Sequence, residues 1–252
     1  MEVDTQTMAR TRLLGKRVED VLRSLERKAS KRVRDDMRTR YGITAAKAFG
    51  VPMAAMQQIG RALGRDQALA AALWETGWYE ARMVACFVAD PALVTAAQMD
   101  RWVRGMDNWG ICDTACFFLF DRTPHAWRKV EQWSRRREEF VKRTAFALIA
   151  CLALHDKQAA DERFLRLLPL IARGATDDRN FVKKGVSWAL RAVGRRNPVL
   201  NAAASDTAER LTRSDNPAAR WIGNDALRDL RKKRSPAVAR RTSMRVTNAT
   251  RR

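Results

Sequence analysis

Acidic residues are in short supply in this 252-residue chain: 28 Asp and Glu stand against 49 Lys and Arg, a formal net charge of +21. So large an excess repels itself in a compact fold. It persists where a polyanion is bound, nucleic acid first and an anionic membrane surface second. Long apolar runs are missing too. The longest, from Ala145 to Leu154, has ten residues, about half of what a bilayer-spanning helix needs, so no transmembrane segment is expected. Strand signals are equally scarce: valine-rich alternations are few, and neither Asn-Gly nor Asp-Gly occurs to turn a hairpin. Cysteine is limited to Cys86, Cys112, Cys116 and Cys151, each inside an apolar stretch. With no secretory signal read ahead of them, they are expected to be reduced core thiols of a cytoplasmic protein, nucleoid-associated if the source is bacterial. Cys112 and Cys116 share one helical face, but structural zinc wants paired close spacings and here there is one, so neither a metal nor another cofactor is expected.

What is present is helical periodicity. Apolar residues recur at three and four throughout, which predicts an all-α chain. A charged region over about 8–40 reads as two helices ending at Gly42, and a linker then leads to Val51-Pro52, where proline suits a first helical turn. Asp66 should cap the next helix. Further helices are predicted over 66–75, 78–89, 94–105, 109–121, 124–132, 137–155, 158–173, 179–195, 198–212 and 217–231. Three regions follow: charged N-terminal helices over 1–44, a repeat domain over 45–230, and a basic tail over 231–252, expected to be disordered. The tail carries nine Lys and Arg and no acid, which leaves +12 on residues 1–230, so the folded part is itself basic.

The second helix of each pair can be aligned on the others. Arg82-Met83-Val84-Ala85, Arg143-Thr144-Ala145-Phe146, Lys184-Gly185-Val186-Ser187 and Arg220-Trp221-Ile222-Gly223 share a charge followed by a small or apolar face. Asp113-Thr114-Ala115-Cys116 falls between the first two, and the successive steps are 31, 30, 41 and 36 residues. Such periods belong to two-helix solenoid repeats of the HEAT kind, whose stacking leaves a curved face for a partner. Equal phase predicts a basic row of Arg82, Arg143, Lys184 and Arg220 suited to the phosphates of duplex DNA; taken singly, each could equally be a solvated surface charge. Asp113 breaks the sign of that row. It reads either as a structural ion-pair partner for Arg143 or as a fixed anion that stabilises the positive charge developing on a sugar when an N-glycosidic bond breaks. Trp109 lies one turn before it and Trp188 one turn after Lys184, and indole faces attract cations and pack on sugars, whereas Trp74, Trp102 and Trp127 fit a core better.

These motifs resemble a known family. Trp109-Gly110-Ile111-Cys112-Asp113-Thr114, Phe140-Val141-Lys142-Arg143-Thr144-Ala145 and Phe181-Val182-Lys183-Lys184-Gly185-Val186-Ser187-Trp188, closing at Asn197-Pro198, resemble in sequence and order the AlkD-like DNA alkylation repair glycosylases. Val51-Pro52 and the stretch from Leu73-Trp74 to Arg82 add to the likeness, which covers about residues 45–230. The resemblance implies an enzyme that removes cationic N3- and N7-alkylated purines from duplex DNA and leaves an abasic site; a monomer is expected. It implies Asp113 as the catalytic carboxylate, Trp109 and Trp188 as the indoles flanking the damaged nucleotide's sugar, and Arg143 as a backbone contact. Gly110 departs from the pattern, since members often carry an acid there. The competing expectation is a non-catalytic repeat scaffold that binds DNA or a protein; membrane-surface binding through the tail is weaker still, because the tail lacks residues that insert into an interface.

Overall fold

A computed structural model describes residues 2–232; the tail over 233–252 lies outside the described residues. Among these the chain forms fourteen α-helices, one short 3-10 helix and no strand. The N-terminal helices are α1 (Glu2–Glu26) and α2 (Lys31–Thr39), followed by α3 (Met53–Leu63), α4 (Gln67–Glu75), α5 (Tyr79–Val88), α6 (Ala96–Arg104) and α7 (Trp109–Phe118). After the 3-10 turn Phe120–Arg122 come α8 (Ala126–Ser134), α9 (Glu139–His155), α10 (Asp161–Leu165), α11 (Leu168–Gly174), α12 (Asn180–Gly194), α13 (Pro198–Thr212) and α14 (Pro217–Leu230).

Local chemistry starts six of these fourteen helices. Asp66 Oδ1 accepts from Leu69 N at 2.9 Å, Thr95 Oγ1 from Gln98 N at 3.1 Å, Asn108 Oδ1 from Ile111 N at 3.1 Å, and Asn197 and Asn216 from Leu200 N and Ala219 N at 2.9 and 3.0 Å. Each satisfies one of the amides that a helix start leaves unpaired. α13 and α14 both open on Asn-Pro, the asparagine capping and the proline filling the first turn where its missing N–H is harmless. The segment 158–173, expected as one helix, is two. Pro169 lacks an N–H and its ring collides with the carbonyl four residues back, so the helix stops at Leu165 and restarts at Leu168.

The helices stack as a solenoid of the HEAT-like kind. An inner row of α3, α5, α7, α9, α12 and α14 makes successive contacts, backed by α4 on α5, α8 on α9, α11 on α12 and α13 on α14. α9 is the spine of the row: every residue from Thr144 to Ala153 is buried. The N-terminal helices share this core. Val21, Leu25 and Met37 are buried in it, α1 packs on α4 and α5, and Arg17 Nη1 meets Asp66 Oδ2 at 2.6 Å. Glu80, fully buried at the start of α5, holds the linker: its Oε1 accepts from Gly50 N and Val51 N at 2.7 and 3.2 Å, and its Oε2 from Phe49 N at 3.0 Å. Three amides that would otherwise be buried without acceptors thereby fix where residues 41–51 cross the stack.

Candidate active site

Asp113 sits in the second turn of α7, and Arg143 faces it from α9. Arg143 Nε donates to Asp113 Oδ1 at 3.1 Å and Nη2 to Oδ2 at 2.8 Å, a two-pronged pairing, while Nη1 donates to the Phe181 carbonyl at 2.7 Å. Arg143 is nearly inaccessible, with 7% of its side chain exposed, whereas Asp113 keeps 23%. Burial pushes the Asp113 carboxyl above the usual carboxylate range, and the charge and hydrogen bonds of Arg143 oppose that push without cancelling it. The ion-pair reading of Asp113 is therefore realised. It does not exhaust Arg143, because a guanidinium has five N–H groups and three are engaged here.

The neighbouring loop is fixed by the residue before Arg143. Lys142 Nζ binds Asp177 Oδ2 at 2.9 Å, and Arg179 grips the same carboxylate through Nε and Nη2 at 2.9 and 2.6 Å. Arg179 first and Lys142 second hold Asp177 at about 2, well below its ordinary range. This clasp sets the start of α12, and with it Asn180, Phe181 and Lys184.

Trp109 opens α7, and its Nε1 donates to the Tyr41 carbonyl at 2.8 Å, with the Arg143 guanidinium carbon 5.8 Å from its ring centre. Gly42, at φ +62°, lets the linker turn there. Between these elements lies a cleft of about 450 Å³ lined by Arg40, Tyr41, Trp109, Arg143, Phe181 and Lys184 among others, with no carboxylate on its wall. Arg40 and Lys184 are exposed. The cleft can thus take an anionic ligand against an indole, with one carboxylate directly behind the wall.

Trp109, Arg143 and Lys184 are brought together; Arg82, Arg220 and Trp188 do not line the cleft. Arg82 lies over Trp74 at 5.3 Å and donates from Nη1 to the Gly105 carbonyl at 3.0 Å, tying the ends of α4 and α6. Arg220 Nη1 donates to the Ser214 and Asp215 carbonyls at 2.9 and 2.8 Å, closing the turn before its own helix. Equal helical phase predicted a row; these bonds use Nη1 of Arg220 and Nη1 and Nε of Arg82, and both guanidinium groups keep further N–H groups. Trp188 lies one turn beyond Lys184, in a separate hollow with Ala150, Leu154 and Arg195. Arg40 and Tyr41 escaped the sequence reading, and Phe181 stood in a motif without a role, since only the Glu80 clasp and the Asp177 clasp bring them in; the Tyr-Gly pair at 41–42 was the one local signal.

Packing explains Gly110. A Cβ there would stand 2.7 Å from the Tyr79 hydroxyl oxygen and 3.2 Å from both Asn108 Oδ1 and Ile43 Cδ1, so the side chain is excluded by neighbours that themselves shape the start of α7. The four cysteines are buried and none is in a disulfide. Cys112 Sγ donates to the Asn108 carbonyl and Cys116 Sγ to the Thr144 carbonyl, at 3.2 and 3.4 Å, and burial pushes the Cys112 thiol up to about 12. Among the described residues no three His, Cys, Asp or Glu gather to hold a metal ion, and no helix is long and apolar enough to cross a membrane.

A stack of helical repeats that presents a cationic, indole-walled cleft has the architecture of the HEAT-like repeat proteins, with a face suited to a polyanion. Residues 21–230 match the model of the DNA alkylation repair enzyme family, and the chain belongs to that family. A solved structure, described as a new family of proteins related to the HEAT-like repeat DNA glycosylases with affinity for branched DNA structures, is similar with a TM-score of 0.69 and 21% identity, over 86% of this chain and 97% of the other. That likeness shows a shared fold. An engineered protein is similar at a TM-score of 0.35 and 13% identity, over 71% of this chain and 91% of its own. No curated protein matches the sequence significantly.

Proposed function

We propose that the protein is a monofunctional DNA glycosylase, acting as a monomer, that hydrolyses the N-glycosidic bond of cationic N3- or N7-alkylated purines in duplex DNA and leaves an abasic site. One observation carries this reading: Asp113, partly exposed and aligned by Arg143, stands behind a cleft whose other charges are positive. An alkylated purine already bears the positive charge that lets it depart with the bonding electron pair, so no general acid is needed. As the bond lengthens, positive charge grows on the sugar, and a fixed carboxylate stabilises it; water then adds to the anomeric carbon and loses a proton. Lys184, Arg40 and the two unengaged N–H groups of Arg143 meet phosphates. Trp109 packs on the sugar. Trp188 lies about 6 Å farther along α12 from Lys184, close enough for DNA lying on that helix to touch both.

Asp113→Asn keeps the size of the side chain and removes its charge. It is expected to abolish release of alkylpurine from methylated duplex DNA while undamaged DNA binds as before; excision at the wild-type rate overturns the assignment. A second reading, a DNA-binding protein without glycosylase activity, draws on two observations: both Asp113 oxygens are already bonded to Arg143, and Trp188 stands outside the cleft. Base release by the wild-type protein separates the two.

A further inference from the structure

α3, α5 and α7 end side by side, and a second cleft of about 320 Å³ opens between their last turns. Its floor is aromatic. Phe87 of α5 and Phe118 of α7 meet edge to face, with ring centres 4.9 Å apart and planes at 86°, and both are partly exposed. Phe87 can lie against α3 because residue 60 is glycine, where a Cβ would stand 2.6 Å from the Phe87 Cβ. The aromatic surface continues toward α9, Phe118 to Phe117 at 4.9 Å and Phe117 to His155 at 4.5 Å.

The walls are Arg61, Arg65 and Arg122, and no carboxylate lines the cleft. Three helix C-termini converge here, each worth about −0.5 of a charge, so about −1.5 opposes the +3 of the arginines and the cleft stays positive. Arg65 Nη1 donates to the Phe87 carbonyl at 3.1 Å and Arg122 Nη1 to the Phe118 carbonyl at 2.8 Å, which accounts for one nitrogen of each. Arg61 is exposed and has no hydrogen bond or ion pair among the described residues. Capping of helix ends explains part of two arginines; it explains neither the third nor the half-exposed rings.

Cations beside open aromatic rings recognise an aromatic anion. Duplex DNA satisfies only half of that description, since its bases are stacked inside and its phosphates alone reach the surface. We propose that this cleft holds an unpaired nucleotide of a DNA strand, the base against Phe118 and Phe87 and the phosphate on Arg61 and Arg122. The site shares no residue with the Asp113 cleft and lies at the opposite end of α7 from Trp109, roughly 14 Å along a ten-residue helix. Its occupancy therefore does not depend on glycosylase chemistry.

The test is fluorescence anisotropy with the full-length protein, an undamaged blunt duplex, and the same duplex carrying a single-stranded thymidine overhang. The wild type is expected to prefer the overhang about tenfold, the range that stacking of one base supplies. Arg61→Gln with Arg122→Gln changes two exposed side chains, and is expected to erase the preference while blunt-duplex affinity stays within about twofold. Phe118→Leu keeps every charge and is expected to erase it too. Equal wild-type affinity for the two DNAs overturns the proposal, as does a double variant that weakens both equally, which would mean general electrostatics. An overhang preference undiminished in Phe118→Leu removes the ring from the site. Displacement of the overhang by micromolar deoxyadenosine monophosphate assigns the cleft to a free nucleotide instead of a strand. No alkylated base is present, so excision is not being read.

Discussion

Replacing Arg143 by glutamine takes away both the partner of Asp113 and the donor to the Phe181 carbonyl. Removing one member of a buried ion pair costs about 3–5 kcal/mol, because the other charge is left uncompensated. Asp113 retains 23% exposure, so water screens part of that, and about 2–3 kcal/mol is the better figure. The lost bond to Phe181 adds about 1 kcal/mol. The sum is about 3–4 kcal/mol at pH 8. The loss must shrink in acid, for a reason whose sign is fixed. The Asp113 carboxyl is already raised by burial, and Arg143 is the group that lowers it, so the variant raises it further. Between the ordinary carboxylate value, about 3.9, and that raised value, the native state binds a proton that the unfolded chain does not, and native stability rises as pH falls. A protonated Asp113 no longer carries a stranded charge, leaving about 1 kcal/mol, the Phe181 bond. Urea unfolding followed by circular dichroism at pH 8 and at pH 4, close to the ordinary carboxylate value, compares the two losses. Asp113→Asn combined with Arg143→Gln should restore about 2 kcal/mol at pH 8, the charge part of the loss. An equal loss at both pH values, or no restoration in the double variant, refutes the charge-clamp account.

Other expectations follow from the same geometry. Gly110→Ala places a methyl 2.7 Å from the Tyr79 hydroxyl, so overpacking of about 1–3 kcal/mol outweighs the gain in helix propensity, and Tm should fall by several degrees. Tyr79→Phe in the same chain should recover most of that; a thermal melt that shows no recovery rejects the clash. If ionised Asp113 drives base release, the rate should show an acid limb above the ordinary carboxylate value of about 3.9, and a limb at or below it excludes Asp113 as the titrating group. Deleting residues 233–252 removes seven Lys and Arg. Binding to undamaged duplex should weaken and its salt dependence become shallower, by about 0.9 in the log–log slope for each phosphate that the tail had neutralised, with the excision rate on bound DNA unchanged. An unaltered salt slope would show that the tail does not touch DNA.

Several helix starts were legible because their causes are local. Asp66 and the Asn197-Pro198 start carry their own capping chemistry, and the structure follows them closely. The split of 158–173 was equally local, and weighing Pro169 against the apolar period would have found it. Arg82 and Arg220 show the other side. Their phase matched that of Arg143, yet their donors went to Gly105, Ser214 and Asp215, acceptors that only folded neighbours present. Tyr41 reaches Trp109, 68 residues away, because Glu80 pins the linker from a third element.

Helicity, the repeat period and the positive charge were determined by the sequence alone, since periodicity, capping and net charge act within a few residues or over the whole chain. Which cations stay available, which carboxylate is clamped, and which rings meet at the helix ends were decided by the tertiary structure. The repeat steps are unequal, 31, 30, 41 and 36 residues, and the longest contains the break at Pro169. Residues at the same phase of successive repeats therefore meet different neighbours. Side-chain partnerships depend on distances of a few ångströms between helices, and no spacing along the chain encodes them.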